Sequence, residues 1–372
     1  MLSLTSPIEI QFPPIVRFGD GTIGKLADWV KDKGFKKPFV VADSVNASRL
    51  DLLGLGDVAC FSKVVPEPDI PNLINAVAAS DGCDLVIGFG GGSAMDLAKL
   101  VSVLSGQPVS FEDISGPHRV KRRSVGLVQI PTTAGTGSEV GTRALVTDPA
   151  TLSKVATESV HMLADMAIID PVMTMTVPPM VTAATGVDAM AHCVEAFTSK
   201  RSHPIIDNYA IQGIELVGKY LKRAVDDGSD AEARTGLALA AFYGGVCLGP
   251  VNTTSGHAVS YPLGTRHKLA HGIANALIFP HTLAMNTNAA PEKTARICAA
   301  LGFCGESVDQ VREGAIEFCK SLGLDMHLEA HGIPQEDFAE MAKEAHAIRR
   351  LLDWNPVDLT VEDIESIYRK AN

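Results

Sequence analysis

Four residues in the second half of the chain, Asp188, His192, His257 and His271, have the types and spacings that could hold a catalytic metal ion. Asp188 and His192 lie four apart in a run of good helix formers from Gly186 to Glu195, so both side chains fall on one helical face and can share an ion. His257 and His271 flank Pro262-Leu263-Gly264, which is expected to break any single helix and let the chain fold back. Three imidazoles and one carboxylate suit Fe(II), Zn(II) or a similar first-row ion, and such a set can expand to admit a substrate oxygen. Each residue alone has a plainer explanation. A histidine in an Ala-rich helix is commonly a hydrogen-bonded core or surface group, and Asp188 could serve a helix dipole. The combination is what implies metal chemistry.

A second signal lies in the first half. Residues 88–99, GFGGGSAMDLAK, follow an apolar run and open a helical pattern. Backbone N–H groups there can approach a pyrophosphate with a helix dipole behind them. The stretch is not the GxGxxG fingerprint, because Ser93 takes the final glycine position, nor a Walker loop, because Lys99 lies inside the helix. A second turn, PTTAGTGSE at 131–139, is rich in hydroxyls and small residues that could line a ribose or nicotinamide pocket. By itself it is no more than a polar loop.

The elements that must position these groups divide the chain. Apolar runs at 38–42, 84–88, 125–130 and 166–169 end in turn residues and alternate with helical patterns, which predicts a parallel sheet covered on both faces. Beyond about Pro178 the strand signal disappears. Helices are predicted over 182–199, 204–224, 231–245, 271–286, 292–301, 307–322, 334–345 and 360–370, several opened by Ser, Thr, Asp or Pro. The expected fold class is therefore α/β plus all-α, with a dinucleotide-binding domain over 1–178 and a helical metal-binding and substrate domain over 179–372.

Composition agrees with that plan. A chain of 372 residues, 46% hydrophobic, can bury a core in each of two domains. A net charge of -11 argues against nucleic acid, and the one basic run, Lys121-Arg122-Arg123, reads as a solvated loop. No apolar segment reaches transmembrane length and the first ten residues carry no signal pattern, so a cytoplasmic protein with no membrane partner is expected. Seven scattered cysteines without CxxC spacing read as reduced, mostly buried thiols.

The motifs GGGSAMDLAK (90–99), PTTAGTGSEV (131–140), Asp170-Pro171, TAATGVDAMAHCVEAF (182–197), GHAVSYPLG (256–264), HGIANALIFPH (271–281) and NPVDLTVEDIESIYRKA (355–371) resemble those of the iron-containing, or group III, alcohol dehydrogenases. The resemblance runs from about Phe12 to Ala371. It implies a Rossmann-like domain followed by a helical metal-binding domain, the dehydroquinate synthase-like architecture, with the active site in the cleft and a homodimer or higher homo-oligomer as the assembly. It implies Asp188, His192, His257 and His271 as ligands of Fe(II), or alternatively Zn(II). Gly90, Gly91, Gly92 and Ser93 would hold the NAD pyrophosphate, and Thr132, Thr133, Thr136 and Ser138 the nicotinamide side, with Asp96 and Lys154 also among the cofactor residues. Asp43, after the first nucleotide-domain strand, would accept from ribose hydroxyls and repel a 2′-phosphate, favouring NAD over NADP.

Three departures from the family pattern stand out. Tyr261 occupies the position, four after His257, where relatives often carry a proton-relay histidine, so Tyr261, His267 and Arg143 are the candidate catalytic residues. The phosphate loop reads Ser93-Ala94-Met95 where Ser-Pro is usual, a change in stiffness more than in chemistry. Arg143 stands where many relatives are neutral, and Asn252, Thr253 and Thr254 precede His257 in place of an apolar run, which together predict a polar pocket. An unpaired buried guanidinium would favour an alcohol or aldehyde with an acidic group, unless Arg143 pairs with a carboxylate such as Asp148 or Glu139. The expected function is metal-assisted hydride exchange between NAD and a small, polar primary alcohol or aldehyde, the alternative being a general short-chain alcohol dehydrogenase. A non-redox relative and a catalytically silent scaffold are the rivals from other classes.

Overall fold

The four apolar runs of the first half become β2 (Pro38–Val41), β4 (Leu85–Gly90), β6 (Gly126–Pro131) and β9 (Met166–Ile169) of a six-stranded parallel sheet, whose two edge strands, β1 (Val16–Phe18) and β3 (Ala59–Phe61), are three residues each and were not predicted. The strands lie in the order β1-β9-β6-β4-β2-β3. A computed structural model describes this arrangement for residues 2–151 and 153–372. Alternate side chains enter opposite apolar layers, as a pleated strand requires. Phe39, Val86 and Leu127 pack in one layer with Leu97 and Val101, and Val40, Ile87 and Val128 pack in the other with Leu26 and Trp29. The covering helices are α1 (Leu26–Lys33), α2 (Ser44–Ala47), α3 (Ile70–Ala79), α4 (Gly92–Leu104) and α5 (Phe111–Ile114).

From β2 the chain goes to β3 on one side and then to β4 on the other, so the strand order reverses between β2 and β4. In an open parallel sheet a ligand crevice forms at the carboxyl ends of the strands at such a reversal. Asp43 follows β2 and the glycines end β4. A second, three-stranded sheet of β5 (Gly116–Pro117), β7 (Arg143–Asp148) and β8 (Ser153–Glu158), with β7 antiparallel to β8, was not legible in the sequence because its polar and apolar residues mix on short strands. This unit comprises 11–133 and 137–176. Within it Arg123 departs from the expected solvated loop: it donates to the Leu163 carbonyl at 2.7 Å and pairs with Asp165 at 2.5 Å.

The second unit, 177–372 with the N-terminal segment to Ile10 and residues 134–136, holds no strand among its described residues. Its helices are α6 (Pro179–Thr198), α7 (Pro204–Asp226), α8 (Ala231–Leu248), α9 (Ser255–His267), α10 (His271–Asn286), α11 (Pro291–Leu301), α12 (Val308–Ser321), α13 (Phe338–His346), α14 (Arg349–Leu352) and α15 (Val361–Lys370). Proline opens α6, α7 and α11, where its missing N–H costs nothing, and the side chains of Asp230, Ser307 and Thr360 cap α8, α12 and α15. Every residue of α6 from Gly186 to Thr198 is buried, which makes it the central helix, packed by α7, α8 and α10.

One expectation is overturned. Pro262 does not break its helix; it lies inside α9, which continues to His267. The reversal comes later, at Lys268 in the left-handed conformation (φ 60°), where the Lys268 and Leu269 N–H groups donate to the Gly264 and Leu263 carbonyls. That left-handed cap, with the 5→1 bond of the αL motif, satisfies the helix end and delivers the chain directly to His271 at the start of α10.

The α6–α10 contact is unusually close at the residue after His271. A Cβ on Gly272 would overlap the Ala184 backbone carbonyl of α6. Gly272→Ala should therefore force the two helices apart and lower stability by about 1–3 kcal/mol, the usual cost of overpacking. Thermal unfolding of wild type and variant checks this, and an unchanged melting temperature would show that the contact does not constrain the helices.

Candidate active site

The central helix supplies two of the four candidate ligands one turn apart, and the cap after α9 brings in the other two. Nε2 atoms of His192, His257 and His271 lie 3.8, 3.5 and 3.5 Å from a single oxygen, Oδ1 of Asp188. The His192 and His257 rings are stacked with centroids 4.7 Å apart, and the His257 and His271 centroids are 5.3 Å apart. Ligands arranged tetrahedrally about 2.1 Å from an ion stand roughly 3.4 Å from one another. The three separations from Asp188 are close to that value, and donor atoms of Asp188, His192 and His257 all lie within 4.8 Å of one another, while His271 joins the set through Asp188 and stands outside that tighter group. Asp188, His192 and His257 are buried, whereas the His271 side chain keeps 27% of its exposure, so the set is open on the His271 side.

The electrostatics also call for positive charge. Burial pushes the Asp188 pKa up, but the imidazoles of His192, His271 and His257 outweigh it and hold the carboxylate well below its usual range. At His192 burial dominates and lowers the pKa, which keeps the ring neutral and its lone pair available. Burial opposes a charged His257, yet Glu195 and Asp188 outweigh it and raise its pKa well above normal. A field that favours a cation at this point fits an ion as well as a proton. The donor set therefore suits a first-row divalent metal.

Sequence reasoning passed over two residues that shape the set. Glu195 sits on α6 seven residues after Asp188, on the same face, and its Oε1 accepts from His257 Nδ1 at 2.6 Å. That bond fixes the tautomer and aims Nε2 toward Asp188. Glu195 Oε2 also accepts from the Thr254 N–H at 2.6 Å, the Thr254 hydroxyl at 3.3 Å and the His257 N–H at 3.3 Å. A Cβ on Gly256 would stand 2.7 Å from Glu195 Oε1, so only glycine admits the carboxylate there. Asn275, one turn after His271, donates from Nδ2 to Asp188 Oδ1 at 2.6 Å. The period of the α6 pattern could have flagged Glu195, because positions 188, 192 and 195 form one stripe.

Glu195→Gln should keep the fold but lower affinity for the divalent ion about tenfold to a hundredfold, the range typical of partners that orient a ligand. Metal-competition titration checks this, with circular dichroism as the control. Equal affinity in wild type and variant would remove Glu195 from the site.

In the nucleotide unit the candidate cofactor residues cluster at the strand ends. Gly90 ends β4, Gly91 precedes α4, and Gly92 and Ser93 open it, so free N–H groups of the first helical turn face outward beside Asp43, whose Oδ2 would lie 3.3 Å from a Gly90 Cβ. Asp43 Oδ1 caps the Val45 and Asn46 N–H groups and its Oδ2 accepts from the Asn46 side chain at 2.7 Å. Thr132 and Thr133 follow β6, and a Gly91 Cβ would lie 3.3 Å from the Thr133 hydroxyl. Thr136 belongs to the helical unit. Ser138 donates to Asp96 at 2.5 Å and accepts from Lys99 at 2.7 Å. Asp96 is committed further, to the Leu145 N–H at 2.9 Å, so its carboxylate anchors this loop to α4 and β7 and is not aimed at a ligand. Lys154 pairs with Glu67 across the same unit.

The candidate catalytic residues separate. The Tyr261 ring stands beside two ligands, 6.3 Å edge-on from His257 and 6.0 Å from His271. His267, at the end of α9, lies 3.2 Å from Asp337, too poorly aligned for a hydrogen bond. Arg143 meets neither Asp148 nor Glu139. Its Nε and Nη2 reach Glu158, its cross-strand neighbour on β8, at 3.2 and 2.8 Å. The guanidinium thus has an internal partner, and the cost that would have demanded an acidic substrate is met within the protein. Thr253 and Thr254 are buried, and Thr254 serves Glu195, so the polarity before His257 supports a ligand and does not by itself make a polar pocket.

Comparison with known proteins agrees with this geometry. Residues 13–171 match the family model for iron-containing alcohol dehydrogenase, and residues 182–372 that for the C-terminal part of the Fe-containing alcohol dehydrogenase family. The chain is 36% identical to long-chain-alcohol dehydrogenase 1 of Geobacillus thermodenitrificans, over 98% of this chain and 97% of that protein. It is 33% identical to an NAD-dependent methanol dehydrogenase of Bacillus methanolicus, over 96% and 98% of the two chains. The solved structure of a 1,3-propanediol oxidoreductase superposes with a TM-score of 0.91 at 30% identity, covering 99% of this chain and all of the other. The two-unit fold, a parallel sheet followed by a helical half, is that of one family of oxidoreductases: this chain belongs to the iron-containing alcohol dehydrogenases.

Proposed function

We propose that the protein is an NAD-dependent, divalent-metal-dependent dehydrogenase of small primary alcohols, acting in reverse as an aldehyde reductase. The observation that carries this reading is the convergence of three imidazole Nε2 atoms within 3.8 Å of one Asp188 oxygen. Asp188, His192, His257 and His271 would hold the ion, Fe(II) or Zn(II), which when bound supplies Lewis-acid polarisation of the alcohol or carbonyl oxygen. Gly90, Gly91, Gly92 and Ser93, with Thr132, Thr133, Thr136 and Ser138, would hold NAD, whose nicotinamide supplies the hydride acceptor. Support for NAD comes from Asp43 beside the glycine turn and from the NAD dependence printed in the name of the Bacillus methanolicus relative.

The chain's own residues then have distinct tasks. Glu195 keeps the proton of His257 on Nδ1 and its lone pair toward the ligand set. Asn275 fixes the Asp188 carboxylate by donating to it. Tyr261 walls the open side next to His271 with an aromatic face, excluding water from part of the approach. Arg143, being paired with Glu158, is not the group that selects among alcohols.

Two outcomes test the reading. Stripping the metal with a chelator should abolish NAD reduction by short primary alcohols, and re-adding Fe(II) or Zn(II) should restore it; His271→Ala should lose both bound metal and turnover. A stripped protein that retains full activity would sink the proposal. Asp43→Ser keeps a capping oxygen while removing the charge, and should raise kcat/KM for NADP relative to NAD by about tenfold or more, since a carboxylate next to a 2′-phosphate is a like-charge penalty. Wild-type preference for NADP would show that Asp43 does not set the choice.

A further inference from the structure

Arginines in the helical unit are mostly neutralised by carboxylates. Arg266 makes a two-pronged pair with Glu344 at 2.8 and 2.7 Å, and Arg349 pairs with Asp353. Arg350 differs. It is exposed on α14, it has no hydrogen bond or ion pair among the described residues, and its one recorded interaction is with the face of Tyr261, whose centroid is 5.9 Å from the guanidinium carbon. Tyr261 is in turn the aromatic neighbour of His257 and His271. A guanidinium resting on a ring is held in orientation through the ring's negative face while its planar set of N–H donors stays free. An exposed arginine without a partner is ordinarily just solvated. What distinguishes Arg350 is that the ring it contacts also stands 6.0 Å from that of His271, the most exposed of the four candidate ligands at 27% against 3 to 6% for the other three side chains.

We propose that Arg350, steadied by Tyr261, is a specificity residue that anchors the anionic tail of the substrate, so that the preferred alcohol or aldehyde carries a carboxylate or sulfonate at the end opposite the reacting carbon. This rests on the dehydrogenase reading for the metal site, and relocates acidic-substrate recognition from Arg143, which is paired, to an arginine that is not. A formal net charge of -11 repels anions over most of the surface, so an anionic substrate needs a local cation at the approach. The planar fork matches a carboxylate with two parallel N–H···O bonds, which a lysine cannot reproduce.

The test compares kcat/KM for 4-hydroxybutanoate, 3-hydroxypropane-1-sulfonate and 1-butanol in metal-loaded wild type, Arg350→Gln and Arg350→Lys, alongside calorimetric titration of 4-hydroxybutanoate. Wild type should prefer the two anionic alcohols. In Arg350→Gln that preference should fall about tenfold or more, as expected for loss of a charge-assisted hydrogen bond, mostly through KM, while 1-butanol changes less than about twofold. Arg350→Lys should recover only part of the preference, and metal content should be equal in all three proteins. A wild type that prefers 1-butanol, with a ratio unmoved by Arg350→Gln, overturns the proposal. If wild type oxidises none of the three alcohols, the dehydrogenase reading fails and the titration decides the anchor separately: binding weakened in Arg350→Gln supports it, and equal binding overturns it.

Discussion

Two carboxylates, Asp188 and Glu195, are buried on one helix, and the helical unit is organised to keep both charged. Moving an ionised carboxylate out of water costs several kcal/mol unless it is well paired. Neither escapes by protonating: burial raises each pKa, but the histidines around Asp188, and His257 with the Thr254 and His257 N–H groups around Glu195, more than reverse that. The compensation is directional. Glu195 accepts four hydrogen bonds from the segment that carries His257, so folding that segment onto α6 and placing a ligand are the same event. Asp188 faces the remaining imidazoles and the amide of Asn275, which ties α10 to the same point. Removing either carboxylate would therefore disturb the positions of groups on α9 and α10 as well as the charge.

Such pairing works only if helices approach more closely than ordinary side chains permit. Glycine supplies the approach at the places where charge is handled: Gly256 leaves room for Glu195, and Gly272 lets α10 meet the Ala184 carbonyl beside His271. The cost is conformational entropy in the unfolded chain, roughly 0.5–1 kcal/mol for each helical glycine relative to alanine. It is offset by a central helix buried on all sides and packed against α7, α8 and α10. The glycines in α9 and α10 thus reflect the geometry of the site, against helix propensity.

This explains which features could be read from sequence. Asp188 and His192 were legible because a spacing of four has one meaning on a helix, and the strand runs at 85–90 and 126–131 were legible because both faces of those strands are buried. His257 and His271 were legible only as residue types on either side of an expected chain reversal, and the motif resemblance implied the same four as candidate ligands. Residues that act across the fold were not legible: a carboxylate partner for Arg143 was foreseen, but Glu158 could be named as that partner only when β7 and β8 were known to be neighbours, and Arg350 has no motif at all. Pro262 misled because the local rule against proline in helices is a free-energy bias of about 3 kcal/mol, which the packing of Val259 and Leu263 in a buried cluster can outweigh. Glu195 was within reach, being on the stripe that holds two candidate ligands, but a glutamate in a helix is an ordinary residue until its burial is seen.

The nucleotide unit treats charge in the opposite way. Its inward cations are each given a carboxylate of their own: Lys99 lies 3.6 Å from Asp96, Arg143 reaches Glu158, and Lys154 reaches Glu67. Lys99 is almost wholly buried, and burial lowers its pKa against the pull of Asp96 and Glu139, while the Glu139 carboxyl is itself pushed up to about 7 by burial. These pairs join α4 to the β7–β8 hairpin and hold Ser138 between Asp96 and Lys99, so the hydroxyl-rich turn is fixed before any ligand arrives. A loop preorganised in this manner loses little entropy on binding. It also leaves no free cation among these three to read the substrate, since each would have to abandon a partner to do so.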